Sequence, residues 1–454
     1  MNRLIVIAIF IWYYYNGQAQ TVDSIGWRSV FTEPQLAGLI ETALERNADL
    51  RTANLNVVQA EAQLKAARLA FLPSLTVGAE GQLQKTKGQA TQKTYNIPVT
   101  MQWEIDLAGR LRGEKRAAVA NYWSTAETER AVRLQLIVAV ATHYYQLVMM
   151  DEQLAVTREN IDNARQTVEV MQTLKEVGMQ NEAAVSAARA AYLNVSAQEK
   201  TLLQQIQATE NALVVLVGKK PHPLTPSPKG EGEAYGSLVG DYHFHNNNDS
   251  CQQIHILSSP FGEGSGVRLS SLANRPDVKA AEYALKAQMA QVDVARAAFY
   301  PQLTISASAG WTNNVGEIVN PGQMLLSAIG SLVQPLFSKG QNRANLRIAK
   351  ARQEQALVAF NQALLVAGAE LSDALTACRL SCERLALRQQ EVAAAERAYE
   401  VSKDVMQNSS STYLEVLTAQ QTLLQSRLSL TADRFDLIQG EINLFKALGG
   451  KVEN

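Results

Sequence analysis

The 454-residue sequence predicts a mainly α chain with a small transmembrane β part. In it, duplicated long-helix hairpins form an α-barrel in the oligomer, and four strands per chain contribute to a shared β-barrel. Three observations lead there. Two stretches, 110–177 and 341–408, carry no Pro and one internal Gly each, Gly113 and Gly368, so each can run as unbroken helix for about 100 Å. The chain repeats itself at an offset of 228 to 231 positions. Short segments ahead of each long helix alternate apolar and polar residues with the two-residue period of a strand.

Composition narrows the function classes. Lys and Arg number 42 against 43 Asp and Glu, and the basic residues are interspersed with acidic ones, so no phosphate-tracking surface is expected and nucleic acid is excluded as a partner. Three cysteines make no disulfide framework. Ala, Gln, Leu, Glu and Arg dominate the Pro-free stretches, which favours long helices over a compact α/β enzyme.

At the N-terminus, Arg3, the apolar run from Leu4 to Trp12 and the closing Gly17-Gln18-Ala19 have the layout of an export signal over residues 1–19. The run is too short to cross a bilayer as a helix, and no later segment offers about 20 continuous apolar residues, so membrane insertion must use strands. The first cysteine is Cys251, so a lipid-bearing N-terminal Cys is not expected. A segment with a short helix follows over 20–46.

The first structural repeat is expected over 47–218 and the second over 272–450. At an offset of 228, Asp49, Phe71 and Pro73 fall on Asp277, Phe299 and Pro301; at 231, Gly109, Arg112 and Gly218 fall on Gly340, Arg343 and Gly449. In each repeat a helix starts at Asp49 or Asp277, residues able to cap it, and stops before Pro73 or Pro301. Two strands come next. In the first pair Leu75, Val77, Ala79 and Leu83 lie opposite Thr76, Glu80, Gln82 and Gln84, and Tyr95, Ile97, Val99, Met101, Trp103 and Ile105 lie opposite Asn96, Thr100, Gln102, Glu104 and Asp106. The third strand repeats the alternation with Leu303, Ile305, Ala307 and Trp311, while the fourth, around 325–335, alternates poorly. Tyr95, Trp103, Tyr300 and Trp311 sit near strand ends, as girdles at a membrane interface would. The long helices then turn at Gly178 to Asn181 and at Ser409 to Thr412, and the returning helices end at Gly218 and Gly449, where Gly suits a C-terminal cap.

Between the repeats, 219–271 is a low-complexity insertion poor in apolar residues, and 451–454 is a short tail. The insertion holds His243, His245, Cys251 and His255, whose spacing matches no standard metal motif.

Four strands with one apolar face leave two unpaired edges and cannot close alone, since even the smallest filled barrel needs about eight. In a membrane open edges are forbidden, so closure requires oligomerisation; two chains give eight strands and three give twelve. The polar strand faces then line a lumen continuous with the gathered helices. That describes a conduit.

The segments LERNADLRTANLNVVQAEAQLKAARLAFLPSL, WEIDLAGRLR, LANRPDVKAAEYALKAQMAQVDVARAAFYPQLTISASAGW, QPLFSKGQNRA, TYLEVLTAQQTLL and LFKALGG together resemble the TolC-type outer membrane efflux family, most of all the outer-membrane components of resistance-nodulation-division pumps. The resemblance spans about Gly26 to Gly450 apart from the insertion. It implies a homotrimer, a twelve-strand barrel in outer-membrane lipid and a periplasmic helical tunnel. It also implies helix-turn tips that constrict and dock onto a periplasmic adaptor (membrane fusion) protein of an inner-membrane pump. Carried over by position, the docking tips are Gly178, Met179, Gln180 and Asn181, and Ser409, Ser410, Ser411 and Thr412. The family's pore-facing acidic pair falls on Glu415 and Thr418, so one carboxylate is kept and one is lost; three copies of Glu415 would still form a ring of negative charge.

Other features carry less. Cys378 and Cys382 lie one helical turn apart without His or acidic companions, and read as small packing residues; Tyr144 and Tyr145 read as packing between helices. No Walker loop, GxSxG or HExxH occurs, so the expectation is no enzyme, no catalytic or metal residue and no cofactor. Two alternatives remain at this stage: an exit duct for type I protein secretion, which uses the same tube, and an exported coiled-coil scaffold or adaptor, which has no need of the two amphipathic β-hairpins.

Overall fold

The computed structural model describes residues 26–87, 91–218, 274–312, 323–335, 337–408 and 413–450. The export signal, the insertion, the turn Ser409 to Thr412 and the tail lie outside them. Eight helices and five strand segments are described: α1 (Trp27–Val30), α2 (Pro34–Arg46), α3 (Ala48–Leu69), β1 (Ser74–Val77), β2 (Glu80–Gln84), β3 (Gln92–Ile105), α4 (Arg110–Glu176), α5 (Glu182–Val217), α6 (Pro276–Ala297), β4 (Gln302–Thr312), β5 (Gln323–Val333), α7 (Gln341–Asn408) and α8 (Tyr413–Ala447). Among the described residues no helix is long and apolar enough to cross a membrane. The chain divides into two compact units, a helical one of Met1–Thr52, Arg130–Arg275 and Leu365–Asn454, and a strand-bearing one of Ala53–Glu129 and Pro276–Leu364.

In the strand-bearing unit all neighbours in the sheet run antiparallel, in the order β1, β3, β4, β5, with β2 on the same side of β3 as β1. Five segments replace the four expected strands, and the register explains why. Val77 pairs with Val99 and Glu80 with Asn96, so β1 and β2 share one frame and are a single strand interrupted opposite Pro98. Pro98 has no N–H to return; Gly78 donates to its carbonyl at 2.9 Å and the reciprocal bond cannot form. On its other side Pro98 pairs with Gly310, where a Cβ would come within 2.7 Å of the Ile97 carbonyl oxygen.

The register joins the alternating residues into two continuous faces. Leu75 and Val77 meet Met101 and Val99; these meet Ala307 and Ala309; and those meet Ala328 and Leu326. Most large side chains on this face are open, Leu75 at 71% and Leu326 at 71% exposure. Across the pleat lie Thr76, Thr100, Ser308 and Ser327. The poorly alternating fourth strand takes its place here too, with Ile329 and Leu325 on the polar side opposite Ser306 and Gly310. Trp103 pairs with Ile305 near one end of the sheet and Trp311 with Ile97 near the other, so the aromatics form two rows. From Tyr95 to Trp103 the strand advances about 26 Å, close to the height of a barrel's apolar band.

Where β3 hands over to α4, the sequence Glu104 to Glu114 is stitched by charge. Asp106, with its side chain 8% exposed, accepts from the backbone N–H groups of Leu111 (3.1 Å) and Arg112 (3.0 Å) and from Arg112 Nε (3.0 Å), so a carboxylate caps a helix N-terminus. Arg110 spans from Glu104 (2.5 and 2.9 Å) to Glu114 (2.5 Å). Gly109, at φ +79°, makes the left-handed turn between them. Farther along, α4 packs on α6 through Gly113, where a Cβ would meet Val294 at 2.7 Å, through Arg116 to Asp293 (3.1 Å), and through Trp123 stacked on Tyr283.

In the helical unit, Trp27, Leu36, Ile40, Leu50, Ile137 and Tyr144 are the centre of a buried core. Tyr144 and Tyr145 pack there edge to face, with the Tyr145 hydroxyl donating to Glu33 at 2.9 Å. The start of α3 corrects the expectation for Asp49. Its cap is Asn47, whose Oδ1 accepts from the N–H groups of Asp49 (2.9 Å) and Leu50 (3.0 Å), because an Asx side chain before the first turn reaches donors that one inside it cannot. Asp277 likewise lies inside α6, which starts with Pro276. Asn47 Nδ2 also donates to the Leu216 carbonyl at 3.0 Å, and in the second repeat Arg275 Nη1 donates to the Ala447 carbonyl at 3.3 Å. These pairs stand at the same two offsets, 228 and 231, found in the sequence. Cys378 and Cys382 are buried with Leu385 and Leu437, and burial pushes the Cys378 thiol up to about 12, where it stays protonated and unreactive.

Two outcomes follow from these contacts. Gly310→Val should destabilise the folded strands by about 1–3 kcal/mol, while Gly330→Val, with nothing within 4 Å of its new Cβ, should not; urea-dependent unfolding of the membrane-inserted protein separates them. Burial pushes the Asp106 carboxyl up, but the N–H groups of Arg112 and Leu111 and the Arg112 guanidinium outweigh it and hold the group below the usual carboxylate range. The stabilisation is therefore complete above about pH 4, the unfolded value, and is lost as pH falls through the lower folded value. Asp106→Asn should cost about 1–2 kcal/mol at neutral pH, with the gap to wild type closing below pH 4 in an acid-unfolding series.

Candidate functional site

Of the residues expected at the tips and the aperture, Gly178 to Asn181 join α4 to α5, and Glu415 and Thr418 lie at the start of α8, all in the helical unit. The first tip is a tight left-handed reversal. Gly178 adopts φ +77°, its N–H and that of Met179 bond back to Lys175 and Leu174 carbonyls, and Gln180 shares the Leu174 carbonyl. Asn181 caps α5, its side chain accepting from the Ala184 N–H at 3.0 Å. Lys175 pairs with Glu182 across the turn. Met179 is 72% exposed, so the turn offers an apolar side chain at its apex. Beneath it Met171, Val185 and Ala188 are buried, with Leu417 of α8 packed against them, so the first tip touches the second hairpin.

Ser409, Ser410, Ser411 and Thr412 lie outside the described residues, and α8 begins directly after them. Glu415 sits in its first turn, where the helix dipole favours a negative charge. Glu415 and Thr418 are three residues apart on one face. Both are exposed, and with Ala395 and Ala398 of α7 and Ala419 and Thr422 of α8 they line an open groove of about 390 Å³. The small side chains of α7 leave the groove open, and Glu415 is the one carboxylate on its wall.

Behind this face runs a polar seam that sequence reading missed. Gln420 Nε2 donates to Asn160 Oδ1 at 3.0 Å in a buried position. Seven residues on, Arg427 holds Glu159 of α4 (3.1 Å) and Glu396 of α7 (2.8 Å). Ser426 donates to Glu391 at 2.9 Å, and Asp433 is clasped by Arg384 (2.8 Å) and Arg388 (2.9 Å). Burial lowers the proton affinity of the Arg427 guanidinium, but its bonds to Glu396 and Glu159 outweigh this and raise it, so it stays charged. The available signal was a charged or amide residue at every seventh position of α8, Gln420, Arg427 and Arg434, on the side that also carries Val416 and Leu424. Among the described residues no cluster of His, Cys, Asp and Glu suited to a metal ion is found.

A profile of outer membrane efflux proteins matches residues 39–219 and 268–450. The chain is 28% identical over 435 residues to the cation efflux system protein CusC of Escherichia coli K12, covering 95% of this chain and 90% of CusC. It is 28% identical over 446 residues to the toluene efflux pump outer membrane protein TtgF of Pseudomonas putida, covering 96% and 88%. Among solved structures, CusC superposes with a TM-score of 0.81 at 26% identity, over 95% of this chain and 96% of that one. The CmeC outer membrane channel of Campylobacter jejuni gives 0.82 at 22% identity, over 96% and 90%, a likeness of fold.

Arg427→Ala should loosen α8 from α4 and α7. The three side chains are 31%, 59% and 42% exposed, so the loss is about 1 kcal/mol. It should appear as faster amide exchange in 413–425 and 170–185, with exchange in the Trp27 to Tyr144 core unchanged.

Proposed function

This chain belongs to the outer membrane efflux protein family, and from that premise we propose that three copies close their strands into one barrel and gather their helices into a periplasmic tunnel. It is an outer-membrane efflux channel with a periplasmic helical part. The observation that carries closure between copies is the sheet itself, with a continuous apolar face, an opposite face lined largely by polar residues and two open edges, β1/β2 on one side and β5 on the other; the number three is taken from the family. In lipid those edges need partners, and head-to-tail pairing of β5 with the next copy's β1/β2 gives a closed ring without a new fold element.

The tunnel acts as a passive exit duct for small molecules. Relatives named for cation efflux and for toluene efflux have nearly the same identity to this chain, which supports a duct whose cargo is chosen by the pump behind it. We assign no chemical step to the chain. Its partners are a periplasmic adaptor and an inner-membrane pump, met at the tips Gly178 to Asn181 and Ser409 to Thr412. In this reading 1–19 is removed on export, and 219–271 is an insertion between the repeats 47–218 and 272–450.

Glu415 is the main charge of the entrance. Its place in the first turn of α8, one turn from Thr418 on an exposed face, supports a ring of three carboxylates in the trimer. Dilation follows when an adaptor binds the open arrangement of the tips more tightly than the closed one. Glu415→Gln should reduce cation selectivity and divalent block in planar bilayers, and Thr418→Asp should strengthen both, with trimer yield unchanged. If selectivity and block are the same in both variants, the constriction is built from other residues.

A further inference from the structure

We propose that α7 of one copy packs on α3 of the next as α4 packs on α6 within one chain. The inference rests on the closure between copies proposed above and names the helix faces that meet there. The chain holds its own template. β3 and β4 are neighbours in the sheet, α4 leaves β3, and α6 leads into β4. When β5 pairs with the next copy's β1, α7, which leaves β5, comes beside the α3 that leads into β1. By the offsets of the repeat, 231 and 228, α7 corresponds to α4 and α3 to α6.

The template is covered and its counterpart is bare. Between Gly113 and Trp123 on α4, and between Tyr283 and Val294 on α6, the residues Ala117, Ala120, Ala287 and Ala290 are buried. At the same offsets stand Ile348 and Ala351 of α7 and Gln59 and Ala62 of α3, and all four are exposed, Ile348 at 49%. Ala344 and Val358 extend the row on α7, and Leu55 and Ala66 the row on α3, all of them exposed as well. Spacings of three, four and seven keep each row on one face of its helix. An apolar helix face needs a cover, and within the chain this packing supplies it to the equivalent residues.

The steric fit carries over and the charges do not. In the template a Cβ on Gly113 would come within 2.7 Å of Val294. The counterparts are Ala344 and Ala66, so a larger residue on one helix is matched by a smaller one on the other, the kind of exchange that packing tolerates. Arg116 pairs with Asp293 at 3.1 Å, and Trp123 stacks on Tyr283. Their counterparts set Arg347 opposite Lys65 and Glu354 opposite Leu55. The seam between copies therefore keeps the apolar rows and places two cations where the chain's own seam has an ion pair. Glu61, the only carboxylate from 53 to 69, stands one turn from Lys65 and tempers this repulsion without taking the place of Asp293. A second copy supplies both faces at once, as a closed ring requires.

The test uses the full-length channel with paired cysteines, Ala66→Cys with Ala344→Cys and, as a second pair, Ala62→Cys with Ile348→Cys, both in a Cys251→Ser background. Mild oxidation of the detergent-purified protein should link copies into dimers and trimers on a denaturing gel, while each single variant stays monomeric. A link within one chain would have to reach across β3 and β4, and would run as monomer. Restoring the acidic residue of the template, Lys65→Asp should slow trimer dissociation in detergent by about two- to fivefold, and adding Arg347→Asp should return it to the wild-type rate. Trimers in which neither cysteine pair links, or Lys65→Asp trimers that dissociate as fast as wild type, would overturn the proposal. Either result in a chain that forms trimers refutes this seam alone; a wild-type chain that stays monomeric refutes the closure beneath it.

Discussion

Backbone amides cannot be left unpaired in hydrocarbon, and the rest of this molecule follows from how the sheet meets that demand. Within the chain every interior strand is bonded on both sides through a constant register, and a single proline is absorbed by placing Gly78 and Gly310 on either side of it. Only the two outer edges are left over. An edge that must pair, on a sheet too narrow to close, is the ground on which closure between copies is proposed. The longer helices inherit that condition: α3 (Ala48–Leu69) and α6 lead into strands, α4 and α7 leave them, and α5 and α8 return from α4 and α7.

The turn from strand to helix is where sheet and helix are made to act together. Asp106 satisfies two of the first free N–H groups of α4 while Arg110 ties the last polar side chain of β3 to the helix surface. Within the helical unit α8 is held by Arg427 and Asp433, whose partners lie on α4 and α7. The Arg427 contacts are part-exposed and worth little singly, whereas Asp433, its side chain 8% exposed, is the buried member and needs both of its arginines.

Much of this was legible in the sequence, for physical reasons that differ by element. The rods were visible because 67 and 68 residues without a breaker have few other conformations to adopt. The strand faces were visible because a two-residue period survives in Leu75, Val77 and Ile97 to Trp103; the fourth strand was obscure because Leu325 and Ile329 face the polar side, and only pairing with β4 fixes them. Asn47 was passed over for Asp49 because capping depends on a one-residue offset that composition does not mark. Arg427 was missed because its partners are 268 and 31 residues away. The site residues Glu415 and Thr418 came from resemblance, and the structure adds that the two share a groove wall.

The two repeats differ most where strands become long helices. In the first, four charged groups, Glu104, Asp106, Arg110 and Arg112, bind the junction. In the second, the position of Asp106 is taken by Phe337, 85% exposed, and the helix start is held by neutral bonds from Gln341 to Asn345 and from Asn342 to the Ala298 carbonyl. The same junction is therefore built twice with different chemistry: the first copy is held by ionised groups, whose grip weakens with acid and with salt, and the second by neutral bonds that neither condition touches.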